Sequence, residues 1–249
     1  MLVLFALVPS AIAWWRWKPD AATDLLAGVG IELAFLRHPN GLLLPSLAGF
    51  TIFCLGWLLS DRSFVRAQLW NWSGARPQLR RIGLEAAPLL ALLLLLALAL
   101  EPGSWLFDTM GRSASTRWIV WPGAELFGLP RFNTRLWAFI MVFYPVVSVW
   151  PQEVIYRAFF FHRYGCVLPR PWMRIFASAA AFGFMHILFL NPIAPLLTFI
   201  GGVLFAHTYE RSRSVLAVSI EHAIYGCWVF TVGLGAYFYG GTVYMDPSG

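Results

Sequence analysis

The feature that most constrains this chain is a series of apolar stretches long enough to cross a bilayer. The plainest, Gly83 to Leu100, contains an unbroken leucine run from Leu92 to Leu96. About 17 to 25 apolar residues in a helix cross roughly 30 Å of hydrocarbon, and inside hydrocarbon every backbone N–H and C=O must be paired by a helix or a closed barrel. The alternating ten-residue pattern of barrel strands is missing, which leaves helices. Composition agrees: 59% of the 249 residues are hydrophobic and 12% charged, against the roughly 25% charged residues of soluble domains.

The expected fold class is therefore all-α, a polytopic transmembrane bundle of about eight helices. The expected spans are Leu2 to Trp15, Ala21 to Leu36, Gly41 to Leu59, Gly83 to Leu100, Arg135 to about Phe161, Trp172 to Leu190, Ile193 to Tyr209 and Val215 to Phe238. The second carries Asp24 and Glu32; if it lies in the interface, the count is seven. The first lacks a basic start and runs into Trp14, Trp15, Arg16 and Trp17, so it reads as a short span or interfacial anchor rather than a signal peptide. With no internal repeat or linker, residues 1–249 read as one integral membrane domain, with N-terminal helices over 1–130 ahead of a motif-bearing core over 131–240.

Of the eighteen basic residues only Lys18 is a lysine, and most arginines lie between apolar runs. That distribution suits membrane orientation and not nucleic-acid binding. Arginines crowd segments 61–81, 163–174 and 210–213, which are expected to be cytoplasmic. The segment from Glu101 to Asn133, the Asn191-Pro192 turn and the tail after Tyr239 then fall on the opposite side. Compact length and the lack of retention signals favour a bacterial inner membrane. Cys54, Cys166 and Cys227 are odd in number and lack metal-type spacing, which implies neither a disulfide framework nor a zinc knuckle.

Ionisable groups deep in a bilayer cost about 2.5 to 3.5 kcal/mol each on insertion scales, so each needs a partner or a function. Glu153 lies ten residues before Arg163, His186 twelve after Arg174 and His222 nine after Arg213. At about 1.5 Å per residue they sit roughly 15, 18 and 14 Å from one membrane face, near the midplane of a slab about 30 Å thick. Three helices thus bring one carboxylate and two imidazoles to a common depth.

Pro145 and Pro151 interrupt the span that carries Glu153, which is expected to be kinked. Arg157 follows Glu153 by four residues, the favourable order for a helical ion pair. A local pair of Glu221 with His222 is a structural alternative to a functional His222, and His186 could simply bond a neighbouring carbonyl. His162 and His207 lie nearer the basic boundary and read as interfacial. Gly183, Gly201 and Gly202 read as helix-packing positions.

The run Gln152-Glu153-x-x-x-Arg157, then Phe182-x-x-x-His186, then His222 on a later span resembles the CAAX-processing and bacteriocin-processing (CPBP, or Abi) intramembrane proteases. The motifs of that family are Glu-Glu-x-x-x-Arg, Phe-x-x-x-His and His-x-x-x-Asn/Asp, and the resemblance covers roughly Arg135 to Phe238. It implies a CAAX-protease-like core and a glutamate-activated water attacking a peptide bond near the C-terminus or membrane anchor of a membrane-embedded or lipid-anchored protein. Two positions depart from the pattern: Gln152 stands where the family has its leading glutamate, and Gly226 where it has Asn or Asp.

The residues can be cast in these roles: Glu153 with His186 beside it polarises the water, His222 with Gln152 steadies the oxyanion, and Arg157 holds Glu153; the alternative is a Glu153–Arg157 ion pair that only fixes the kinked helix. No cofactor is expected. Zinc is weighed, because one glutamate and two histidines form a known ligand set, but no His-Glu-x-x-His occurs and Arg157 would repel a cation. The expected partners are the substrate and membrane lipids, not nucleic acid. The rival reading is a non-catalytic scaffold of the same fold in which Gln152 records lost activity; a transporter ranks third, since paired broken helices in two related halves are missing.

Overall fold

The computed structural model describes Phe5 and residues 8–17, 43–112 and 124–238. The second expected span, Ala21 to Leu36, most of the start of the first, and the tail after Tyr239 lie outside the described residues.

The chain is an all-α membrane bundle. After α1 (Val8–Trp17), the long elements are α2 (Leu43–Ser60) and α3 (Trp72–Leu100), followed by the short helices α4 (Trp105–Arg112) and α5 (Gly128–Phe132). A composite helix α6 (Thr134–Tyr164) comes next, then α7 (Pro171–Phe189, its last turn a 3-10 helix), α8 (Ile193–Ser212) and α9 (Val215–Thr231). Five of these, α2, the segment that includes α3, α6, α7 and α8, are long and apolar enough to cross a membrane, and α9 is a shorter apolar helix. They correspond to the third through eighth expected spans.

Three boundaries differ from expectation, each for a local reason. The basic segment 61–81 is largely helical: a 3-10 turn covers Arg66–Leu69, and α3 already begins at Trp72 because the Asn71 side chain accepts a hydrogen bond from Gly74 N at 3.0 Å, capping donors that would otherwise be orphaned. The segment from Glu101 to Asn133 holds α4 and α5. The last span ends at Thr231, and after Gly233 the chain turns into a 3-10 helix, Leu234–Phe238.

The winding of α6 changes along its length, and Pro145 opens the first π stretch. The helix is α-helical over Thr134–Tyr144, π-helical over Pro145–Val149, α-helical over Trp150–Glu153 and π-helical again over Val154–Phe159. Such π stretches are frequent at functional sites, and each re-aims the side chains that follow. Here the residues from Glu153 through Phe161 are all buried.

Small residues set the closest helix pair. A Cβ on Gly183 of α7 would lie 3.0 Å from Phe199 Cβ, and one on Gly202 of α8 would lie 3.1 Å from Ala179 Cα, so glycine lets the two backbones approach. Gly201 differs from expectation: it meets only the Phe205 ring of its own helix.

The three arginine-bearing segments gather at one end of the bundle. Asn71 donates to the carbonyls of Ser212 and Arg213 at 3.2 and 3.4 Å. Arg174 pairs with Glu210 at 2.5 Å, and His162 meets Asp61 at 3.0 Å. Asp61, outside the spans, is lowered to about 2 by the Ser63 hydroxyl first and by His162.

Candidate active site

The π stretches of α6 turn Glu153 and Arg157 inward, and neither side chain is exposed at all. Both carboxylate oxygens of Glu153 are engaged. Oε1 lies 2.7 Å from His222 Nδ1 of α9, and Oε2 lies 3.1 Å from Arg157 Nε. A buried ion pair of this kind gains from further groups that satisfy its remaining donors. Arg157 Nη1 donates to Ser178 Oγ of α7 at 2.8 Å, and Ser178 donates to the Tyr156 carbonyl at 2.6 Å, whereas Nη2 has no hydrogen-bond partner among the described residues. The guanidinium also faces the Phe182 and Phe205 rings at 5.2 and 5.9 Å, an attractive cation–π arrangement.

The two histidines are fixed differently. His222 is clamped between Glu153 on Nδ1 and the Tyr144 hydroxyl on Nε2, 3.2 Å away, and its ring stacks on Phe205 at 4.6 Å and 19°. His186 closes onto its own helix: Nδ1 lies 2.7 Å from the Phe182 carbonyl oxygen. With Nδ1–H donating there, Nε2 is left as the acceptor nitrogen. Phe182 stands between the two imidazoles, edge-on to His186 at 4.7 Å and to His222 at 5.6 Å.

Both imidazoles line one cavity of about 740 Å³. Its other polar lining groups include Tyr144, Gln152 and Tyr156, amid a wall that is otherwise overwhelmingly apolar. Leu44, Leu92, Phe139, Val147 and Ile200 line it and are also exposed on the outer surface. Those residues lie within the spans, so the cavity opens sideways on the apolar flank of the bundle.

The expected site residues therefore divide into two layers. Gln152, His186 and His222 reach the cavity, whereas Glu153 and Arg157 lie sealed behind them. The partner of Glu153 is His222 and not His186. Gln152 donates its amide nitrogen to Ser148 Oγ one turn back, at 2.7 Å. Glu221 does not pair with its neighbour His222; it turns to Arg81 of α3, 3.7 Å away. Among the described residues, no group of three or more His, Cys, Asp or Glu is arranged to hold a metal ion.

Sequence reasoning missed Ser178 and Tyr144. Nothing in the local pattern marks Ser178, an ordinary small residue of an apolar helix. Tyr144 had an indirect signal, because the missing side chain at Gly226 leaves room one turn along from His222.

Residues 133–228 match the family described as Type II CAAX prenyl endopeptidase Rce1-like. That stretch runs from the start of α6 through most of α9 and contains all five expected site residues. Neither the curated proteins nor the solved structures yielded a match.

Proposed function

With residues 133–228 forming a CAAX-protease-like region of the CPBP type, we propose that the chain is an intramembrane endopeptidase in which two imidazoles divide the chemistry and Glu153 acts through one of them. The observation that carries this reading is the cavity wall. His186 and His222 both reach it, each with Nδ1 tied to a fixed acceptor, so that each directs Nε2 away from its tether.

In this reading His186 Nε2 takes a proton from water as the hydroxyl oxygen bonds to the scissile carbonyl carbon. His222 faces the carbonyl oxygen as negative charge gathers there. Glu153 orients that ring and stabilises the positive charge it carries, as a buried carboxylate does behind a catalytic imidazole. The His186 imidazolium then returns its proton to the leaving nitrogen, and the C–N bond breaks. Arg157 holds Glu153 in place. No metal or other cofactor enters the scheme.

The apolar wall and the lateral opening support a membrane-embedded or lipid-anchored peptide arriving from the bilayer as the substrate, and the family resemblance implies a cut near its C-terminus or anchor. A prenylated tail, as the family description names, belongs to that class. The clustering of segments 61–81, 163–174 and 210–213 at one end supports a cytoplasmic placement of that end by the positive-inside rule, in a bacterial inner membrane.

A second reading has its own observation. Gln152, at the position of the leading glutamate of the family motif, lines the cavity, and an amide cannot take a proton from water. A binding protein that holds such a peptide without cutting it would look the same. Proteoliposomes holding the protein and a prenylated or membrane-spanning peptide separate the two. Cleavage by wild type that is lost in His186→Ala, His222→Ala and Glu153→Gln supports the peptidase. Photocrosslinking of the peptide to the cavity without cleavage by wild type favours the binding protein. Cleavage that survives all three changes removes the site.

A further inference from the structure

Gly226 follows His222 by four residues on α9, so the two share a face. A Cβ built on Gly226 would lie 2.5 Å from both Cε1 and the hydroxyl oxygen of Tyr144, and 2.8 Å from Cζ. No side chain fits there while Tyr144 keeps its place. Tyr144 is the last residue of the first α-helical part of α6, just before Pro145 opens the π stretch. Its ring stands at 81° to the His222 ring, and its hydroxyl lies 3.2 Å from His222 Nε2. It also packs edge-on against Phe230, at 5.3 Å and 72°.

We infer that Tyr144 is a positioning residue of the site, holding His222 Nε2 through its hydroxyl, and that Gly226 is small so that this phenol can enter from α6. A polar group borne on α9 itself is thereby replaced by one borne on the neighbouring helix. The consequence is a continuous chain of contacts from Arg157 to Glu153, to His222 and on to Tyr144, whose last member lines the cavity. Each nitrogen of the His222 ring is then specified by a different part of α6, Nδ1 by Glu153 after the first π stretch and Nε2 by Tyr144 before it. Nδ1 is set from the buried side, whereas Nε2 is set from the cavity side, where a substrate carbonyl would compete for it. Tyr144 therefore keeps the ring in register with the cavity empty and with substrate bound, its hydroxyl sharing Nε2 with the carbonyl oxygen.

The inference deepens the peptidase reading and rests on it only for its kinetic arm. Protein labelled with 15N-histidine, in micelles, reports the two ring nitrogens of His222 separately, with the signals assigned by their loss in His222→Gln. Tyr144→Phe keeps the ring and removes only the hydroxyl; Gly226→Ala keeps the hydroxyl and pushes the ring aside. Both are expected to move the Nε2 resonance and to leave Nδ1, held by Glu153, near its wild-type position. An Nε2 resonance unchanged in Tyr144→Phe overturns the contact.

In the cleavage assay Tyr144→Phe is expected to lower kcat on the order of tenfold, with KM within about twofold, the signature of a group that orders the reacting machinery without binding substrate. A shifted resonance with unaltered kcat in a cleaving protein overturns the positioning role. A wild-type protein that cleaves nothing removes the peptidase reading instead, and the resonances still decide whether Tyr144 holds His222.

Discussion

Glu153 and Arg157, one helical turn apart in α6, meet through Oε2 and Nε at 3.1 Å with no part of either side chain exposed. A carboxylate and a guanidinium placed so deep specify each other: removing one leaves the other as an uncompensated charge in an apolar interior. Arg157→Met is therefore expected to destabilise the protein by about 3 to 5 kcal/mol, and Arg157→Met combined with Glu153→Gln by less than the sum of the single changes. Unfolding in detergent, followed as a double-mutant cycle, measures this. Additive losses would mean that the two groups do not act as a pair.

The two histidines should separate stability from activity. His222→Ala strips Glu153 Oε1 of its partner and should cost about 1 to 3 kcal/mol, whereas His186→Ala removes a bond to the carbonyl of its own helix and ring contacts with Phe182, Phe189 and Phe238 but leaves no buried charge without its partner. Both should lose cleavage, by about 100-fold or more. Melting temperatures beside rates decide it, and equal melting losses would contradict the buried Glu153–His222 contact.

Gln152 offers a gain-of-function test. Gln152→Glu places a carboxylate on the cavity wall that Glu153 does not reach, and a base there should raise the cleavage rate by about 100-fold if chemistry limits it. A slower enzyme would show that the amide, fixed by Ser148 at 2.7 Å, is needed as it stands.

Packing between α7 and α8 tolerates no side chain at the closest approach. Gly202→Val, which drives new atoms toward Ala179 and Phe182, should cost about 1 to 3 kcal/mol through overpacking. Gly49→Val in α2, where a Cβ meets nothing within 4 Å, is the control. Comparable losses from both would show that the effect is not one of packing.

Asp61 gives a pH dependence of definite sign. Its folded value is lowered to about 2 from 3.8 by the Ser63 hydroxyl first and by His162. A depressed carboxyl contributes stability that is fully present above the unfolded value and is lost as pH falls through the folded one. Between about pH 4 and pH 2 wild type should therefore lose stability that Asp61→Asn does not. Parallel acid titrations of the two proteins, followed by fluorescence, test this, and superimposable curves would contradict it.

Hydropathy alone placed α2, α3 and α6 to α9, because hydrocarbon forces each crossing segment to satisfy its own backbone and so makes length and composition sufficient. Arginine spacing likewise pointed to one depth for Glu153, His186 and His222, since rise along a helix is set by residue number. Rotation about each helix axis is set differently. The π stretches of α6, the Gly183 and Gly202 contact and the Tyr144 ring against Gly226 decide which way each side chain points, and the last two depend on neighbouring helices. Only the tertiary structure could therefore show Glu153 sealed behind His222, Gln152 on the cavity wall, Glu221 turned to Arg81, and a tyrosine from another helix in the space beside Gly226.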